Sequence, residues 1–349
     1  MSWTLKHCTD QRRNNFNLLR ILAALAVIYG HAYHIIGAPG GDFFLRNVGF
    51  KFIGGVAVDV FFVISGFLIT SSLERSSVSR YLWARCLRIY PALLACVVIM
   101  VFVLGPMAAN TNIHDYFLQP QVWNYLWRNA SLWSTEYSLP GVFAVLNDNA
   151  VNGSLWSLPL EFRLYLALLG LSLFGLMSDV RRFNWFAIAV FIVGYFVTPR
   201  HQIFQEYSNW VECSAFFLAG AFFWKNREHI TMSFPLLALF LIIAAALHNT
   251  DKFYIGYFVC LTYLTFFVAY VPKLPHWDEV DLSYGVYLYG WPVAQCLHAL
   301  APTWGVRANI WVAMLISLGC AWLSWHFIEK RALSFKDRVG SRKHTPVVA

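Results

Sequence analysis

The chain has 349 residues, 58% of them hydrophobic and only 13% charged, with a formal net charge of +8 and a mean hydropathy of +0.53. Soluble domains carry about 25% charged residues, so the composition excludes a soluble globular enzyme and describes a polytopic membrane protein. The basic excess needs no nucleic acid as partner, because Lys and Arg collect in the cytoplasmic loops of membrane proteins; the expected surroundings are the lipid bilayer.

A crossing helix needs about 20 mostly apolar residues. Apolar runs near 17–37, 54–73, 88–108, 154–177, 183–199, 208–225, 231–248, 253–271, 282–301 and 308–328 predict an all-α bundle of about ten transmembrane helices. The first run is too long for a cleavable signal and is followed by further spans. Between the third and fourth runs, a polar and aromatic connection over about 109–153 contains QPQVWNYLWRNASLW and has room for an interfacial or re-entrant helix. No soluble domain or internal repeat is visible. The expected organisation is a single transmembrane domain over 1–335 with a short basic tail over 336–349.

Basic residues give the orientation. Lys6, Arg12, Arg13, Arg75, Arg80, Arg85, Arg88, Arg181, Arg182, Lys225, Arg227, Lys330, Arg331, Lys336, Arg338, Arg342 and Lys343 fall at one set of span ends. The opposite ends carry only Arg46, Lys51, Arg128, Arg200, Lys252 and Arg307. That bias places both termini in the cytoplasm, which requires an even number of crossings. The seven cysteines are scattered without a CxxC spacing and mostly sit in apolar runs, as small buried hydrophobes do. No metal is expected.

Ionisable groups inside a span are costly and mark function by default. They are His31 and His34 in the first span, Asp59 in the second, and Glu161 and Arg163 in the fourth. In RILAALAVIYGH, Arg20 and His31 are separated by a rise of about 16 Å and a net rotation of about 20°, so they share a helix face three turns apart. Arg20 belongs near the cytoplasmic end, and His31 in the middle or outer half. Arg85 and Arg88 are one turn apart at the cytoplasmic start of the third span. The fourth span runs inward, which puts Glu161 at a depth similar to that of His31.

Guanidinium groups suit phosphate, and a His beside a carboxylate suits proton abstraction from a hydroxyl. The layout fits a phosphorylated donor that enters from the cytoplasm and reaches up to His31. Each residue also has a blander reading. The arginines serve as positive-inside anchors, and a lone His can be a satisfied core residue. Asp59 can pair with an Arg or cap a broken helix, Glu161 and Arg163 can neutralise one another, and the aromatic stripes are packing and interfacial belts. The conjunction favours function.

From NFNLLRILAALAVIYGH through GGVAVDVFFVISGFLIT, RYLWARCLRIYPAL, GSLWSLPLEFRLYL and LSYGVYLYGWPV to WHFIEKRAL, the chain resembles the acyltransferase-3 family of integral membrane acyltransferases. Many of these O-acetylate bacterial surface polysaccharides. The most specific signal is Arg20, ten residues, then His31, the position of the family's catalytic His. RCLRIYP supplies Arg85 and Arg88. The LWSLxxE pattern is met by Leu155 to Leu158 and Glu161, and SYGVYL by Ser283 to Leu288. Many relatives carry a His after SYxxYLx, where this chain has Gly290, so a role for that His is not carried over. The resemblance implies no appended extracytoplasmic SGNH-type domain here, and hence direct acylation of the acceptor or a separate periplasmic transfer partner.

The resemblance therefore implies a multi-pass O-acyltransferase of the bacterial cytoplasmic (inner) membrane. It would move acetyl from cytoplasmic acetyl-CoA to a hydroxyl of a glycan of the O-antigen, capsule or exopolysaccharide type, or of its lipid-linked precursor. Expected roles are His31 as general base or transient acyl carrier, Glu161 as its catalytic partner, and Arg20, Arg85 and Arg88 as the acyl-CoA site. The in-span His34 and Asp59, with Ser65, Trp156, Tyr165, Ser283 and Tyr284 from the quoted motifs, are supporting candidates. The alternative from another class is a proton-coupled exporter with His31, Asp59 and Glu161 as a relay; the lack of repeated halves opposes it.

Overall fold

The computed structural model describes residues 3–11, 13–197, 208–274 and 280–336. Arg12, Arg200 and the tail from 337 lie outside the described residues. Helices make up nearly all the regular structure. The β structure among the described residues is a ladder of Trp3–Thr4 with Thr231–Met232 and one isolated bridge between Ala109 and Val142.

Helices occupy every apolar run. They are α1 (Phe16–Ile36), α2 (Ile53–Glu74), α3 (Val78–Ile99), α4 (Ser157–Leu173), α5 (Val180–Val197), α6 (Ser208–Lys225), α7 (Phe234–Leu247), α8 (Phe253–Tyr270), α9 (Ser283–Leu300) and α10 (Val306–Ser324). Among the described residues, five are long and apolar enough to cross a membrane: α1, α2, α8, α3 with its extension to Ala108, and α10 with its extension to Leu333. Both extensions pass through a widened turn, Met100–Leu104 and Trp325–Glu329.

Local chemistry sets the ends. Gly37, in the left-handed conformation at φ 70°, closes α1 as a helix-terminating glycine does. The Ser77 and Ser233 side chains accept from backbone N–H groups at the starts of α3 and α7, filling donors that a helix N-terminus leaves open. α3 begins ten residues before the apolar run, so Arg85 and Arg88 lie well inside it. The connection after α3 holds the helix Pro120–Ser131, which buries Val122, Tyr125 and Asn129 and exposes Trp123 and Trp127. A helix therefore stands where the sequence left room for an interfacial or re-entrant one.

α2 is the buried centre, packed against α1 and α6. A Cβ on Gly66 would stand 1.9 Å from the Phe217 carbonyl oxygen, and one on Gly220 2.1 Å from that of Val63. Backbones of α2 and α6 therefore touch, as small residues permit in membrane bundles. α9 packs on α1 and α10, so α1, α2, α4 and α9 surround the polar interior.

Candidate active site

Two cavities lie along these helices. The first, of about 120 Å³, is lined by Arg20, Arg85 and Arg88 together with Ser65, Glu161 and Tyr165. The second, of about 990 Å³, is lined by His31 and His34, by Trp156, Trp210 and Trp291, and by Lys51, Asp148 and Glu212. Val58 lines both. At the start of α4 the lining passes from Trp156 in the preceding turn to Ser157, on α9 from Trp291 to Tyr287, and on α1 from His31 to Arg20.

In the basic cavity, Asp281, just before α9, organises the guanidiniums. Arg88 Nη2 donates to Asp281 Oδ2 at 2.7 Å, and Arg20 Nη1 lies 3.3 Å from the same oxygen. The other carboxylate oxygen accepts from the Ser283 hydroxyl and backbone N–H. Burial alone would raise the Asp281 carboxyl, but Arg88 and Arg20 overcome it and hold it well below the usual carboxylate range. Arg88 also reaches Glu329 at 3.5 Å and lies over the Tyr284 ring. Tyr284 donates to the Ile89 carbonyl. Glu161 accepts from Ser65 at 2.9 Å and from the Tyr165 hydroxyl, and Arg85 sits 5.9 Å over the Tyr165 ring. The Nε atoms of Arg20 and Arg85 are buried without a hydrogen-bond partner. Buried donors are rarely left so, and both belong to side chains that line this cavity.

In the aromatic cavity, Gly30 lets α1 approach α2: a Cβ there would meet Gly54 N and the Phe52 ring at 2.8 Å. His31 follows directly. Its ring stands edge-on to Trp291 at 4.7 Å between centroids and tilted against Phe52 at 5.3 Å. Trp291 is itself held by its indole N–H on the Ala150 carbonyl at 3.0 Å. The imidazole makes no hydrogen bond to a described residue, which leaves its nitrogens for a ligand. His34 pairs with Asp148 at 2.8 Å. Lys51 reaches Asp59 at 2.7 Å and Glu212 at 3.0 Å, and Tyr257 donates to Asp59.

The structure thus brings Arg20, Arg85, Arg88, Ser65, Tyr165, Ser283 and Tyr284 to one cavity, and His31, His34 and Trp156 to the other. It departs from the sequence reading in three places. Glu161 joins the guanidiniums instead of His31, because its side chain is held by Ser65 on α2 and Tyr165 one turn along α4. Asp59 faces α6 and α8 and is fully buried on Lys51, and among the described residues no hydrogen bond joins His31, Asp59 and Glu161. The single cavity expected from Arg20 to His31 is two cavities, with Val27 and Ile28 of α1 buried between those residues. Arg163 does not pair with Glu161: it donates to the Trp133 carbonyl and lies 4.8 Å over the Trp210 ring.

Sequence reasoning missed Asp281, Glu329, Asp148 and the Lys51–Glu212 pair. Asp281 directly precedes LSYGVYL and Glu329 lies within WHFIEKRAL, so both were adjacent to quoted motifs. Lys51 and Asp148 look like ordinary loop charges. At Gly290 a Cβ would meet Ile28 at 2.6 Å, so the absent side chain is matched by absent space. Among the described residues no three His, Cys, Asp or Glu side chains are gathered as metal ligands.

Fold and site define an integral membrane protein with a guanidinium-lined pocket next to an open pocket whose imidazole makes no hydrogen bond to a described residue. Sequence comparison supplies the family: the acyltransferase-3 family, described as an acyltransferase domain, matches residues 13–328. The chain belongs to this family of membrane acyltransferases. It is 27% identical over 352 residues to an O-acetyl transferase of Shigella phage Sf6, covering 93% of this chain and 97% of that protein. It is 28% identical over 369 residues to Nodulation protein 10 of Rhizobium leguminosarum bv. viciae, covering 95% and 96%. No solved structure matches.

Proposed function

We propose that the protein is an O-acetyltransferase of the bacterial inner membrane that moves acetyl from cytoplasmic acetyl-CoA to a hydroxyl of a cell-surface polysaccharide or its lipid-linked precursor. In this reading ten helices cross the bilayer, both termini are cytoplasmic, and the basic cavity opens toward the cytoplasm. The observation that carries it is the pair of buried, unpartnered guanidinium Nε atoms three helical turns below a free imidazole.

The donor fits that interval. Between its pyrophosphate and sulfur, the pantetheine arm is a chain of about thirteen bonds, which extended spans roughly 16 Å at the rise per bond of an extended backbone. Arg20, Arg85 and Arg88 would hold the phosphates, since forked guanidiniums match phosphate oxygens. Glu161, placed beside them, would accept an amide N–H of the arm. In this reading the two cavities join beside Val58, which lines both, and the arm presents its thioester at His31.

There the acceptor hydroxyl enters from the aromatic cavity. His31 takes the hydroxyl proton as the oxygen attacks the thioester carbonyl. The C–S bond breaks as the ester C–O bond forms, and the proton passes to the leaving thiolate. In a covalent variant, the imidazole nitrogen carries the acetyl between the two steps.

Incubation of purified protein with acetyl-labelled acetyl-CoA and a lipid-linked glycan extract tests this. Label should appear on glycan with the intact protein and not with His31→Ala. Label that stays in acetyl-CoA with every extract would overturn the assignment. Transient label on the intact protein, released to acceptor, would favour the covalent course.

A further inference from the structure

The aromatic cavity also carries information on the acceptor, given the acyl transfer proposed above. We infer that it selects an uncharged sugar and rejects an acidic one. Its lining includes one ammonium, Lys51, against three carboxylates, Asp42, Asp148 and Glu212. The ammonium is already committed, 2.7 Å from Asp59 and 3.0 Å from Glu212. Asp42 is buried and capped by three backbone N–H groups, from Phe44, Leu45 and Ile53. Asp148 is engaged by His34. Among the described residues no arginine lines the pocket.

An acceptor with a carboxylate would find no lining cation without an acidic partner and would meet Glu212 and Asp148 at short range. Like charges brought together across a partly desolvated contact are strongly unfavourable. A neutral ring meets no such opposition. Its apolar faces fit Trp156, Trp210 and Trp291, because aromatic rings offer rigid apolar area with a polar edge. Its hydroxyls can donate to the free lone pairs of Glu212 and Asp148. With about 990 Å³ available, the pocket is at the upper end of ordinary ligand sites, room for a short oligosaccharide. The charge on the two substrates is thereby separated: the polyanionic donor goes to the three guanidiniums and the neutral acceptor to the carboxylate-rimmed aromatic pocket.

The test uses a panel of neutral trisaccharides, each matched by a counterpart oxidised to a uronic acid at one C6. Binding to the purified full chain in detergent is read by saturation-transfer NMR, without donor. At least one neutral member should bind, with its acidic counterpart weaker by about tenfold or more. Glu212→Gln keeps the Lys51–Asp59 pair and should narrow that ratio about threefold or more. Equal or tighter binding of the acidic members overturns the inference, and so does the absence of binding by every neutral member. An acetyl-transfer assay on the same panel separates the two readings. Selective binding without transfer breaks the acetyltransferase assignment and leaves the neutral-sugar pocket standing; transfer to both members at equal efficiency breaks the inference and leaves the acetyltransferase.

Discussion

The two cavities share α1, α2 and α9 as walls and a common residue in Val58, yet they are built from different chemistry. One has three guanidiniums against the single lining carboxylate of Glu161. The other has one ammonium against three carboxylates, with an aromatic face. Three helices can present both because the lining changes within about a turn on α2 and α9, while α1 runs from one to the other. The guanidiniums line one cavity, where Asp281 and Glu329 pair with Arg20 and Arg88, and the imidazole lines the other. A group-transfer protein with two unlike substrates needs that division.

The largest effect that would break the comparison is on His31. If the aromatic cavity holds the chemistry and the basic cavity only the donor, His31→Ala should lower acetyl transfer by about 10²–10⁴-fold, the range for a lost general base. Binding of CoA, measured by calorimetry, should stay within about twofold of the parent, because His31 lies outside the donor's phosphate site. A variant that loses both would merge the two cavities into one functional unit.

The next effect is on folding. Lys51→Met leaves Asp59 and Glu212 facing each other without a cation. Removing one partner of a buried ion pair costs about 3–5 kcal/mol, so the detergent-solubilised variant should melt well below the parent. Lys51 is partly exposed, 17% at its side chain, which places the expected cost toward the lower end, about 3 kcal/mol. An unchanged melting temperature would mean that the cavity's charge balance is not structural.

These groups also mark how far the sequence could be read. Arg20, His31, Arg85 and Arg88 were legible because helical spacing alone sets which face they share, and the apolar runs fixed where the helices lie. Glu161 was misplaced because its partner depends on how α4 rotates against α2, which the Ser65 and Tyr165 hydroxyls decide. Its depth was misread as well: it is held at Ser65, about three helical turns along α2 from Gly54, where Gly30 and hence His31 approach that helix. Asp281, Asp148 and Lys51 were missed for a different reason. They sit in connections, where no periodicity operates, and their importance comes only from the long-range contacts to Arg88, His34 and Asp59. α3 starting at Val78 was hidden because Arg80, Arg85 and Arg88 depress its mean hydropathy, although Ser77 offers an N-cap.

A smaller effect sharpens the basic side. Arg88→Ala removes one charged donor from the proposed phosphate site and should weaken CoA binding by about 10–100-fold, the equivalent of about 1.5–3 kcal/mol for a charged hydrogen bond. Arg88→Lys restores the charge without the fork and should recover only part of the loss. Neutral-sugar binding in the aromatic cavity should not move. Loss of sugar binding in Arg88→Ala would show that Val58, which lines both, transmits disorder between the cavities.

The smallest effect concerns Asp281, whose carboxyl is depressed by Arg88 and Arg20 despite its burial. A depressed acid contributes stability that is fully present above its unfolded value near 3.9 and is lost only as pH falls through the lower folded value. Across about pH 5 to 8 it stays ionised, so its effect on the arginines is constant there. CoA affinity itself will vary over this range, because phosphate monoesters titrate near 6. The useful quantity is the ratio of affinities for the parent and Asp281→Asn, in which the ligand's own titration cancels. That ratio should be flat to within about twofold from pH 5 to 8. The asparagine keeps an oxygen for Ser283, so the start of α9 should survive the change. A ratio that drifts across this range would mean that Asp281 gains a proton in it. The arginines would then not be anchored on a permanent anion, and the basic cavity would differ from the aromatic one less in charge than the ion pairs at Asp281 indicate.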